Sequence, residues 1–156
     1  MNVIRHILVT TDFSDYSVAG LEYALSIAAQ FRAEVHLLHV IEKGKGKSAQ
    51  DEEALAWREL RMFIADHTDE YTSIGQVVVH GDPAEEIVRY ARCNAMDIIV
   101  IATHGRTGLK HLVMGSIAET VVRRSTVPVL AVKPAVVCEH ILSENDVAHD
   151  LHIQHS

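Results

Sequence analysis

Short aliphatic and β-branched runs alternate along this chain with longer segments of helical periodicity, and that alternation constrains the fold more than any other feature. Val3 to Thr10, Glu34 to Ile41, Gln76 to His80, Asp97 to Thr103 and Val127 to Lys133 read as strands. Ser14 to Phe31, Ala49 to His67, Asp82 to Cys93 and Ser116 to Arg124 read as helices between them. The third helix is the clearest: Ala84, Ile87, Val88 and Ala91 share a face, Asp82 suits the N-cap, and Pro83, Glu85 and Glu86 suit the first turn. A strand–helix unit repeated and closed by one more strand predicts an α/β fold, a parallel sheet with helices on both faces. Right-handed crossovers leave few topologies for it. The fourth strand is almost wholly apolar, which predicts a central position. Pro128 lies inside the last run, and proline removes a ladder donor, so that strand is expected at an edge.

The chain has 156 residues, enough for one domain with a real core. Its net charge of -7 excludes a general nucleic-acid surface, since phosphate-backbone affinity comes from Lys and Arg. A small phosphorylated ligand needs only a local site and stays open. Aromatics are 5%, too few for a platform that stacks single strands. Cys93 and Cys138 form no disulfide framework, which suits a reducing compartment. No apolar run is long enough to span a bilayer, and the N-terminus lacks the pattern of a secretory signal. The expectation is a soluble, cytoplasmic protein.

Gly46-Lys47-Ser48 ends like a phosphate-binding P-loop, but the first glycine of that motif would have to be Ile41. A solvated basic loop is the better reading. The stronger signal follows the fourth strand, from Ala102 to Ser116. Gly105 would let backbone approach a ligand. Gly115 and Ser116 open a helix whose free N–H groups attract an anion, with Arg106 and Lys110 adding positive charge. An ordinary helix cap in a long loop is the other reading. Thr10-Thr11-Asp12 ends the first strand. In open α/β sheets, ligands bind beyond the carboxyl ends of strands where the strand order reverses. Asp12 either reads a base or ribose there or begins an Asx turn.

These residues resemble the universal stress protein family, in its single-domain, UspA-like form. The resemblance covers about residues 3 to 133. Nucleotide-binding members carry G-x2-G-x9-G-[ST] after the fourth strand. Ala102-Thr103-His104-Gly105, nine residues, then Gly115-Ser116 match it except at Ala102. Thr10-Thr11-Asp12-Phe13-Ser14 and Ser125-Thr126-Val127-Pro128-Val129-Leu130 resemble the family's opening and close. The resemblance implies a Rossmann-like, five-stranded parallel sheet of order 3-2-1-4-5 that binds ATP or AMP, with Mg2+ or Mn2+ at the phosphates as an option. By that likeness Asp12 and the Val40 backbone hold adenine, and Ala102 and His104 lie near the ribose and α-phosphate. Gly105, Gly115, Ser116 and Ile117 wrap the phosphates, Thr10 and Thr11 line the floor, and Arg106 is adjacent. It also implies a homodimer that pairs the last strands, Val127 to Lys133. The methyl group of Ala102 would narrow the ribose approach.

Phosphoryl transfer needs a positioned base or water, and none stands out, so catalysis is not expected beyond slow hydrolysis. Other classes remain: a dimeric regulator that binds no nucleotide, a receiver-like signalling domain, or a metal-binding module. Lys133-Pro134 and Thr103 resemble receiver landmarks, but the third strand ends in His80-Gly81 without a phospho-accepting Asp. Residues 134–156 read as an extension beyond a domain of residues 1–133. Its Cys138, His140, His149, His152 and His155 are the candidate ligands for Zn2+, or incidental residues of a polar tail. Among the other histidines, His36 and His39 fall on opposite faces of a strand, and His80 ends a strand near the expected ligand edge. Trp57, Met62 and Phe63 read as core or partner surface rather than a cofactor box.

Overall fold

The structure, a computed structural model, describes residues 3–42, 48–69, 73–105 and 114–133. Five strands and four helices alternate: β1 (His6–Thr10), α1 (Asp15–Phe31), β2 (Glu34–Ile41), α2 (Ala49–His67), β3 (Ile74–His80), α3 (Pro83–Cys93), β4 (Ile98–Ala102), α4 (Ser116–Arg124) and β5 (Val129–Val132). The strands form one parallel sheet of order β3-β2-β1-β4-β5. That order excludes the receiver reading, because receiver-type sheets run 2-1-3-4-5 and do not pair the first strand with the fourth.

Period-two alternation sorts the strand side chains into two cores. Ile7, Val9, Leu37 and Val100 face α1 and α2, where Leu21, Ala24, Leu60 and Phe63 meet them. Leu8, Leu38, Ile99 and Ile101 face α3 and α4, where Ala84, Ile87, Ala118 and Val121 meet them. Trp57 packs partly buried against the first core, whereas Met62 is 52% exposed. The helices change faces between β1 and β4: α1 leaves on one side and α4 on the other. That reversal opens a crevice at the carboxyl ends of those two strands.

Three sequence expectations shift in detail. β3 begins at Ile74, before Gln76, because the whole segment pairs with β2 from Val35 to Ile41. β1 begins at His6 rather than Val3, in line with its register to β2. Pro128 lies just before β5 and not within it. Its carbonyl still accepts the Ile99 N–H at 2.9 Å, so only the missing donor is kept out of the ladder. Ser48 of the basic loop is the N-cap of α2 and accepts the Asp51 N–H at 3.2 Å. Residues 43–47 and 134–156, with the expected tail ligands, lie outside the described residues. Among the described residues no helix is long and apolar enough to cross a membrane.

At the opposite end of the sheet, Asp97 ties β4 to β1. Its Oδ2 accepts the Arg5 N–H at 2.8 Å and the His6 N–H at 2.9 Å. These backbone bonds, Arg5 first, hold the carboxyl below its ordinary pKa. A depressed folded-state pKa gives stability that is present above the unfolded value and lost as pH falls through the folded one. Asp97→Asn should therefore cost about 1 kcal/mol near neutral pH, a charge-assisted bond discounted for exposure. Urea denaturation across pH checks this: the difference should begin to shrink below about pH 4 and vanish only once the pH is below the lowered folded-state pKa. Equal stability at neutral pH would refute the assignment.

Candidate functional site

The crevice is a cavity of about 550 Å³, within the range of small-ligand sites. Thr10 and Ala102 end the neighbouring strands β1 and β4 beneath it, and Val40, next to last in β2, lies alongside. Thr11 is buried; its N–H extends the ladder to the Leu38 carbonyl at 3.0 Å, and its hydroxyl meets Ser17 Oγ at 2.8 Å. Asp12 is the next residue. Its Oδ1 accepts the Ser14 N–H at 3.0 Å and the Ser14 hydroxyl, so it does form an Asx turn into α1. Its Oδ2 stands beside Gly105, where an added Cβ would come within 2.6 Å. One oxygen of the carboxylate thus serves the turn, and the other lies at the cavity wall. A side chain at residue 105 would have to displace that carboxylate oxygen.

The β4–α4 connection is closed at its base. Gly115 donates its N–H to the Thr103 carbonyl at 2.6 Å, and Thr103 donates its own N–H to Val132 at 2.9 Å. A Cβ on Gly115 would lie 3.1 Å from that carbonyl. The Gly115 N–H is therefore used within the protein. The first helical bond runs from Glu119 N–H to the Gly115 carbonyl, so the N–H groups of Ser116, Ile117 and Ala118 have no intrahelical acceptor. Gly115, the N-cap residue, provides no side-chain cap. Its neighbour α3 differs, because Asp82 caps it by accepting the Glu85 N–H at 3.0 Å. Ser48 likewise caps α2, while α1 and α4 have no side-chain cap; of these two, α4 is the one whose first three residues, Ser116, Ile117 and Ala118, all line the cavity, where an anion can accept from its N-terminus.

Thr10, Thr11, Asp12, Val40, Ala102, His104, Gly105, Gly115, Ser116 and Ile117 all line this one cavity. Arg106, like Lys110, lies outside the described residues. His104 sits at the start of the connection, with Nδ1 2.9 Å from Thr103 Oγ1 and its ring 6.1 Å from Tyr16. His80 does not line the cavity; its Nε2 is 3.6 Å from Glu53, because the side chain leaves β3 toward α2. Sequence reasoning missed His39, Leu55, Glu59, Pro83, Ile87 and Ala118 as lining residues. His39 had one available signal, its position at the carboxyl end of β2. Leu55 and Glu59 had none, since nothing local in α2 shows that its first turns overhang a crevice. His36 lies on the other face of β2, its Nδ1 2.9 Å from the Tyr90 hydroxyl, and burial pushes that phenol up.

Comparison with known proteins agrees with this architecture. A profile of the universal stress protein family matches residues 4–133. Universal stress protein MJ0531 of Methanocaldococcus jannaschii is 31% identical over 146 residues, spanning 85% of this chain and 84% of the relative. The solved structure of protein MJ0577 from the same organism superposes with a TM-score of 0.73 at 32% identity, covering 86% of this chain and 99% of that one. A universal stress protein solved in complex with cAMP superposes with a TM-score of 0.65 at 25% identity, covering 85% and 98%. The strand order, the open α4 N-terminus and the profile match converge: the chain belongs to the universal stress protein family.

Proposed function

We propose that the protein binds an adenine nucleotide, ATP or AMP, in the crevice between β1 and β4 and serves stress response or nucleotide-dependent signalling in the cytoplasm. The observation that carries this reading is the open N-terminus of α4, facing the same cavity as Asp12 and Gly105. Phosphate would accept from the Ser116, Ile117 and Ala118 N–H groups, with Arg106 beside it. Gly115 contributes the absence of a side chain rather than its N–H, which Thr103 already takes. The base would lie against Asp12 and the Val40 backbone, and the ribose against Ala102 and His104. The complex of a relative with cAMP supports an adenine nucleotide as the ligand class.

Binding rather than catalysis is the role we assign. Proteins of this family are generally not enzymes. Among the described residues no group of three or more His, Cys, Asp or Glu fits a metal ion; Mg2+ or Mn2+ accompanying the nucleotide would be held mainly by its phosphates and water. We assign residues 1–133 to the nucleotide-binding domain, with 134–156 as an extension. Dimerisation through the edge strand β5 belongs to the same proposal, since an apolar edge strand invites pairing.

Calorimetry with AMP and ATP tests the nucleotide reading, alongside mass analysis of nucleotide extracted from the purified protein. Saturable heat or co-purified nucleotide is the expected result. No heat at millimolar nucleotide would favour the second reading, a dimeric regulator without nucleotide, which Ala102 in place of the motif glycine favours.

A further inference from the structure

We infer that His39 is a positioning residue for Asp12, holding the carboxylate at the cavity wall. The effect on affinity rests on the nucleotide reading above; the positioning itself does not. His39 lines the cavity near the carboxyl end of β2, and period two turns its side chain, like that of Leu37, to the α1 and α2 face. Its Nδ1 lies 2.9 Å from the Thr11 carbonyl. A carbonyl only accepts, so Nδ1 carries the hydrogen and donates it. The same imidazole stacks on Phe13, with ring centroids 4.2 Å apart and planes 29° from parallel.

Phe13 has a φ of 64°, a left-handed conformation that a bulky residue keeps only when its surroundings hold it. The surroundings are aromatic: His39 on one side and the edge of Phe63 at 6.1 Å. One ring therefore grips the residue before Asp12 by its carbonyl and the residue after it by its side chain. Phe13 donates its N–H to Thr11 Oγ1 at 2.9 Å, which closes the turn. The carboxylate between these fixed points meets Ser14 through Oδ1 and Gly105 through Oδ2. A shift of the Thr11 peptide would swing Asp12 toward or away from the space that Gly105 leaves.

His39→Phe keeps a stacking ring and removes the donor. His39→Asn places an amide N–H where Nδ1 stands. In the ligand-free protein, hydrogen exchange at the Ser14 amide reports whether Asp12 Oδ1 is held. We expect about tenfold faster exchange there in His39→Phe and a rate closer to the natural one in His39→Asn. AMP affinity should fall about tenfold in His39→Phe and recover in part in His39→Asn. In an Asp12→Ala background the further effect of His39→Phe on affinity should shrink to about twofold or less, because both act through one carboxylate. A residue that merely stabilised the fold would not show that coupling. Unchanged Ser14 exchange in His39→Phe, or full additivity with Asp12→Ala, overturns the proposal. If the natural chain binds no AMP, the nucleotide reading fails and the exchange comparison still decides the role of His39. Should His39→Phe not fold, His39→Gln, whose amide reaches past the Nδ1 position, replaces it with the same expected outcome.

Discussion

Gly115→Asp is expected to lower AMP affinity by at least about a hundredfold, since a fixed carboxylate facing a phosphate costs several kcal/mol. Residue 115 is the N-cap of α4, and the three residues that follow it, whose N–H groups have no intrahelical acceptor, line the cavity. Aspartate is among the best N-cap residues, so its carboxylate would accept from those same N–H groups. It would both occupy the anion site and repel the ligand. The added Cβ would stand 3.1 Å from the Thr103 carbonyl, so the backbone there has to give by a few tenths of an ångström. Calorimetry of Gly115→Asp beside Gly115→Ala separates the two effects: alanine adds the Cβ without the charge and should keep most of the affinity. Unchanged affinity in Gly115→Asp would show that phosphate does not lie at α4.

Leu8→Ala should destabilise the protein by about 3 kcal/mol, near the middle of the range for a leucine truncated in a core. Leu8 is fully buried in β1, paired with His36 on one side and Ile99 on the other, and belongs to the core under α3 and α4. The loss is a large share of the roughly 5–15 kcal/mol by which domains are stable. A fall in melting temperature of roughly 6–12 °C follows for a chain of this size. Chemical denaturation with an unchanged m-value would confirm it. A loss below about 1 kcal/mol would mean the site collapses around the smaller side chain, and that the β1 core is less tightly packed than its burial indicates.

The ends of the strands carried most of what could be read in advance. Thr10-Thr11-Asp12 and Ala102 to Gly105 are contiguous stretches, each following a strand whose alternation or apolar run is unambiguous. Their convergence needs only that β1 and β4 be neighbours, which the reversal of crossover direction produces. His39 was harder to see, because a histidine in a strand has an ordinary explanation until its partner is known. That partner is a backbone carbonyl, which no side-chain pattern reveals. Leu55, Glu59, Pro83 and Ile87 belong to helices read correctly as amphipathic, yet which of their turns overhang the crevice depends on how the helices seat on the sheet. His80 illustrates the converse: a position near the right edge does not say toward which helix the side chain leaves.

The sequence by itself determined the strand–helix order, the two-faced sheet and the presence of a glycine-containing connection ending at a helix start. Those are properties of local periodicity and of residues that few alternatives satisfy. Only the tertiary structure decided that the Gly115 N–H is consumed by Thr103 while Ser116, Ile117 and Ala118 stay open, and that α3 is closed by Asp82 where α4 is not. It also decided that Asp12 divides its two oxygens between a turn and the cavity wall. The physical reason is common to all of these. Hydrogen-bond donors and acceptors on the backbone are the same at every residue, and only the packed chain settles which of them are already paired and which remain for a ligand.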